Sequence, residues 1–112
     1  MDKINIDIGA ILRDVENQTK ALAQKQIKDY TQQALGDVKN SLHEGKDDLQ
    51  RWVEMLARGE LDKDGFESLV RGQLDLEKME ALKQAGLAAV QVESFVNGVI
   101  DIVVNAAFAA IP

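Results

Sequence analysis

The sequence contains no cysteine, and its one proline is the last residue, Pro112. The first absence removes disulfide staples, thiolate nucleophiles and thiolate zinc sites. The second leaves the rest of the chain without the strongest breaker of helices. A single histidine, His43, cannot supply the paired Glu-x-x-His ligands of a di-iron bundle. Positive charge is in deficit: 13 Lys and Arg stand against 19 Asp and Glu, a net charge of -6. That balance argues against binding phosphate backbones, where cations must displace condensed counterions, so nucleic acid is not an expected partner. The opening residues, Met1-Asp2-Lys3-Ile4-Asn5-Ile6-Asp7-Ile8, lack the basic start and continuous apolar stretch of a secretory signal, and a cytoplasmic location is expected.

What is present is the vocabulary of helices. Ala, Leu, Gln, Lys and Glu fill the interior, and 112 residues suit one domain. From Ile8 onward the stripe recurs mostly at steps of three and four, through Ile11, Leu12, Val15, Thr19, Leu22, Gln26 or Ile27, Tyr30, Ala34, Val38, Leu42, Leu49, Trp52, Val53 and Leu56. This is one helical stripe, not the alternation of a strand. Glu16 precedes Lys20, Asp47 precedes Arg51, Glu54 precedes Arg58 and Glu67 precedes Arg71 by one helical turn, each pair adding about 0.2–0.5 kcal/mol to helix stability.

These patterns predict an all-α chain forming one domain over 1–112. Its parts are an arm at 1–7, a first helical run at 8–58, a turn at 59–63 and a second helical run at 64–111. The turn is marked by Arg58-Gly59, a basic residue followed by glycine. Two residues compete to cap the second run. Asp62 would let Leu61 and Phe66 form a hydrophobic staple, whereas Asp64 would place Glu67 for a capping box. The weak points are Gly36, Gly45 and Gly86, since a glycine inside a helix costs about 0.5–1 kcal/mol relative to alanine. If they are tolerated, two helices form a hairpin roughly 75 Å long at 1.5 Å rise per residue, which must pair with a second copy to cover its faces. If the helices break at Gly36–Gly45 and Gly86, four shorter helices make the bundle. The expected state is the hairpin, dimerised into a helical bundle.

Candidate chemistry is sparse. Glu60-Leu61-Asp62-Lys63-Asp64-Gly65 spaces its acids like a calcium loop, but the position that should close the cage with glutamate is Arg71. His43-Glu44 begins like a zinc-protease helix, but Asp47 stands where the second ligand histidine belongs. Ser41, Ser68 and Ser94 have no nucleophile elbow around them, and no glycine-rich phosphate loop occurs. Lys20, Lys25 and Lys28 form a basic cluster flanked by Glu16 and Asp29, which reads as a solvated face. No catalytic residue, metal ligand or cofactor site is assigned, and no enzyme activity is expected.

The segment from Gln84 to Pro112 differs from the rest: it has no basic residue, two acids (Glu93 and Asp101), and nineteen apolar residues among twenty-nine. On a helical wheel Gln91, Glu93, Ser94, Asn97, Gly98, Asp101 and Asn105 gather on one side. Opposite them lies a wide arc of Leu87, Val92, Phe95, Val96, Val99, Ile100, Val103, Ala106, Ala107 and Ala110. Asp101 would sit near the middle of a bilayer, so a membrane span is disfavoured. The arc is expected to pack on Ile8, Ile11, Leu12 and Val15, or, together with Ile4 and Ile6, to form an apolar end that docks a protein partner. Alternation in Ile4-Asn5-Ile6-Asp7-Ile8 also permits a short strand.

The function expected is that of a non-enzymatic interaction or assembly protein that homodimerises through its apolar helix faces. The candidate interface residues are Ile8, Ile11, Leu12, Val15, Trp52, Leu56, Phe66, Phe95, Val96, Val99, Ile100 and Val103. The alternative is a membrane-active or lipid-associated protein that uses its C-terminal helix.

Overall fold

The computed structural model describes residues 6–111. They form a helical bundle without strands among the described residues: α1 (Ile8–Gln26), α2 (Thr31–Glu44), α3 (Lys46–Ala57), α4 (Lys63–Gln73), the one-turn α5 (Glu80–Gln84) and α6 (Ala89–Ala110), with 3-10 turns at Lys28–Tyr30 and Leu76–Lys78. α6 is the central element. It packs chiefly on α1 and on α4, while α2 packs on α1 and on α5, and α3 packs mainly on α4. The bundle measures 51 × 21 × 20 Å. A hairpin of unbroken arms would be half as long again, so the long-arm form of the expected hairpin is corrected to a bundle of shorter helices.

The breaks have local causes. Gly59 and Gly86 both adopt positive φ, 75° and 91°. In each case the glycine N–H and the next N–H turn back onto the helix that has just ended. Gly59 donates to the Leu56 carbonyl and Glu60 to that of Met55; Gly86 donates to Lys83 and Leu87 to Leu82. This paired closure needs the left-handed conformation at the glycine. Gly45 works differently, because its φ of -100° is open to any residue. There the Gln73 side chain fills the place a Cβ would take, and its Nε2 donates to the Ser41 carbonyl at 2.6 Å. The end of α4 is thereby locked into the α2–α3 kink. Gly36, expected as a break, lies within α2 with open space around it.

Two breaks have no glycine. The first helix stops at Gln26, and Ile27 leaves helical geometry at φ -140° while remaining buried, so that α2 can fold back on α1. The Thr31 hydroxyl donates to the Lys28 carbonyl at 2.8 Å, diverting a backbone acceptor in the way short hydroxyl side chains do. The second follows Leu74, where Asp75 caps the 3-10 turn through the Glu77 N–H.

α1 and α6 run antiparallel. Leu22 near the end of α1 lies on Gly98, where a Cβ would come within 2.7 Å of its Cδ2, and Gln26 and Ile27 face Leu87 and Gln91 at the start of α6. The polar side of α6 is the exposed side, except that Gly98 is half-buried under Leu22. Leu87, Val92, Phe95, Val96, Val99, Ile100, Val103, Ala106 and Ala107 are buried, as is Val104; Ala110 is exposed.

The capping question resolves in favour of Asp62. Its carboxylate accepts the Gly65 N–H at 2.7 Å, Phe66 is fully buried and Leu61 packs on the core beside it, while Asp64 falls inside the first turn of α4. Asp7 likewise caps α1 by accepting from Ala10. Ile8 opens that helix, so the strand reading is corrected from Asp7 onward; Ile4 and Asn5 lie outside the described residues.

The one buried carboxylate among the described residues is Asp37, in the middle of α2. Its two oxygens accept the N–H groups of Ala81 and Leu82 at 3.0 and 2.9 Å. A five-residue helix with no capping side chain of its own is thus capped by a residue more than forty positions away.

Two stability predictions follow from these caps. Asp37→Ala strands two donors, one buried and one part-buried, and is expected to lower unfolding free energy by about 2–3 kcal/mol in urea titrations, because bonds to charged groups are the stronger class; a loss under about 0.5 kcal/mol would contradict the cap. Asp62→Ala should cost about 1 kcal/mol and Asp64→Ala clearly less, the reverse order refuting the assigned register.

Candidate functional site

Three surface features gather residues of interest. The first is a crevice between α1 and α2, walled by Leu12, Leu35, Val38 and Leu42 and edged by Glu16, Lys39 and His43. His43, the chain's one imidazole, is exposed there on the last turn of α2. Thr19 lines the same crevice and is fully buried, and its hydroxyl has no hydrogen-bond partner. It occupies a core position on the α1 stripe between Val15 and Ala23, where a purely apolar side chain of the same shape would fit.

The second feature is at the corner where α1 turns into α2. Lys20 and Lys28 line a cleft with Gln24, Asp29, Gln32 and Gln33, and Lys25 is exposed on the same turn of helix. The lysines of this cluster are all solvent-facing. The third is an open cleft between α4 and α6, where the Arg71 guanidinium donates to Asn97 Oδ1 at 2.8 Å. Sequence spacing suggested Glu67 as the partner of Arg71; the structure gives it Asn97, twenty-six residues on.

The calcium-like stretch is a helix start: the Asp62 carboxylate is committed to the Gly65 N–H. Among the described residues no group of three or more His, Asp or Glu side chains converges as metal ligands would.

The twelve candidate interface residues divide sharply. Ile8, Ile11, Val15, Phe66, Phe95, Val96, Val99, Ile100 and Val103 are buried within the chain's own core. They are brought together by α1, α4 and α6, and in this fold they offer no surface to a second molecule. Leu12, Trp52 and Leu56 pack on that core from its edge and keep part of their surface in solvent. Larger exposures that the helical wheel did not single out occur at Val90, 78%, and Phe108, 43%, near the two ends of α6. α6 is long and apolar enough to cross a membrane by length and composition, with half of the relevant stretch buried in the bundle.

Comparison with protein-family models, with curated proteins and with solved structures finds no match to this chain.

The orphan hydroxyl gives a direct test. Thr19→Val removes an unpaired buried polar group while nearly preserving shape, and is expected to raise stability by about 1 kcal/mol in thermal or urea unfolding. A loss of that size would show that the hydroxyl is bonded in solution.

Proposed function

We propose that the chain is a non-catalytic helical interaction module that self-associates through the edge of its bundle. The observation behind this reading is the placement of Trp52 with Leu12 and Leu56: large apolar side chains seated on the core but not covered by it. Half-covered tryptophan is the side chain that most often dominates association energy, since it offers wide contact at small conformational cost. α3, which carries Trp52 and Leu56, packs in part on α1, which carries Leu12. Leu12 sits opposite Leu42 and His43 across the α1–α2 crevice, the chain passes directly from there through Gly45 into α3, and α3 is the helix that carries Trp52 and Leu56. α3 packs on α4, α1 and α2, and Trp52 and Leu56 stay part-exposed on it.

No arrangement of nucleophile with base, phosphate-binding loop or convergent ligands favours catalysis over binding at the described residues. A second reading rests on α6. Its length and apolarity suit a lipid-inserting segment released from the bundle, with Val90 and Phe108 already exposed near its ends. Burial of its apolar arc weighs against that reading, because release would uncover the bundle's own core.

Sedimentation equilibrium of the full chain over a wide concentration range tests self-association. The mass is expected to rise from 12.3 kDa toward twice that value, with a blue shift of emission from Trp52, the chain's one tryptophan. Trp52→Ser should hold the chain at monomer mass with its helical signal intact. A mass that stays at 12.3 kDa up to roughly millimolar concentration, the range of the weakest specific contacts, refutes the proposal. Flotation with anionic vesicles addresses the α6 reading, which requires the protein to rise with the lipid.

A further inference from the structure

The chain between Leu74 and Leu87 is attached differently from the rest of the bundle. Leu74 and Leu87 themselves are buried, at 1% and 8% exposure, and fix the two ends. Of the twelve residues between them, Asp75 to Gly86, only Met79 and Leu82 are buried, and Ala81 is half-buried. The backbone passes from the 3-10 turn Leu76–Lys78 through the five-residue α5 to Gly86 at φ 91°, so no unbroken helical ladder runs the length of the segment.

Its ties to the remainder are few. Among the described residues two hydrogen bonds join it to a distant part of the chain, and both end on the Asp37 carboxylate, from the N–H groups of Ala81 and Leu82 at 3.0 and 2.9 Å. Its side-chain and turn bonds are otherwise made within five positions. The segment packs on α2 and more lightly on α6, whereas α6 has its main partners in α1 and α4, and α2 has its own in α1. The two long-range bonds share one carboxylate and are lost together when α2 and α5 part. A helix of five residues then has no means of persisting, since nucleation costs more than its few bonds return, and twelve residues regain their conformational freedom. Against that gain stands the burial of two large side chains, Met79 and Leu82.

We propose that Asp75–Gly86 is a strap that opens as one unit while α1, α2, α4 and α6 stay packed, with Asp37 as its catch. Opening presents Met79, Leu82 and the Asp37 carboxylate to solvent, and is the partial step through which the bundle begins to come apart. The strap is held by α2, so its opening does not rest on self-association at the α3 edge.

Native-state amide hydrogen exchange of the full chain, read residue by residue over a series of low urea concentrations, tests this. Protection of Ala81 and Leu82 should be at least about tenfold lower than that of Val99 and Val103 in α6, and should depend less on urea, since strap opening exposes less surface than global unfolding. Ile100→Val, a one-methylene deletion in the core face of α6, distinguishes partial from global opening. It should speed exchange at Val99 and Val103 about fivefold, the effect of a small core truncation on the folded fraction, and leave Ala81 and Leu82 unchanged, because α6 is packed whether the strap is closed or open. Asp37→Asn replaces one acceptor oxygen by a donor and should speed exchange at Ala81 and Leu82 at least about fivefold. The proposal is overturned by protection and urea dependence at Ala81 and Leu82 equal to those at Val99 and Val103, by an Ile100→Val chain in which all four amides accelerate alike, or by unchanged exchange at Ala81 and Leu82 in the Asp37→Asn chain.

Discussion

The bundle depends on one long-range electrostatic contact, the reach of the Asp37 carboxylate to the N–H groups of Ala81 and Leu82 in α5. A helix of five residues has almost no stability of its own, since nucleation costs more than so few bonds return. Held by Asp37, that turn buries Met79 and Leu82 and delivers the chain to Gly86, from which α6 starts. From there α6 lies along α1 and α4, burying nine residues from Val92 to Ala107. A similar device operates at the kink between α2 and α3, where Gln73 reaches the Ser41 carbonyl through the opening left by Gly45. α2 is therefore the frame against which the second half of the chain is positioned, although α6 contributes more apolar surface.

Much of this was legible from residue order and much was not, for a common reason. Periodicity reports which side of a helix is apolar, and the stripe from Ile8 to Leu56 and the arc of α6, save Ala110 at its end, are buried or half-buried as that rule requires. Glycine followed by a change of pattern reports a stop, and Gly59 and Gly86 end helices in the left-handed conformation. The turn at Ile27–Tyr30 escaped because no breaker stands there; packing of α2 on α1 overrides local preference, and Thr31 is the one weak signal. Asp37 and Gln73 escaped because a polar residue in a helical pattern looks solvated until its partner, dozens of residues away, is known. The same limit applies to the surfaces. Nine of the twelve residues read as an interface belong to the core, since periodicity cannot distinguish a face covered by the same chain from one covered by another.

The proposed self-association surface has a physical character that limits what it can recognise. The edge of α3 offers area with little directional chemistry, which suits a broad contact tolerant of small adjustments.

The placement of α6 has a consequence for how the chain is made. Its main partner, α1, begins at Ile8, some eighty residues before α6 begins at Ala89. On a ribosome α1 and α2 emerge early and can pair at once, but the groove along Ile11, Val15 and Ala23 waits for the last helix of this stretch. Contacts between such distant segments form late and slowly. For that interval the nascent chain is a half-bundle with an open apolar trough, the kind of species that chaperones hold and that aggregates when they do not.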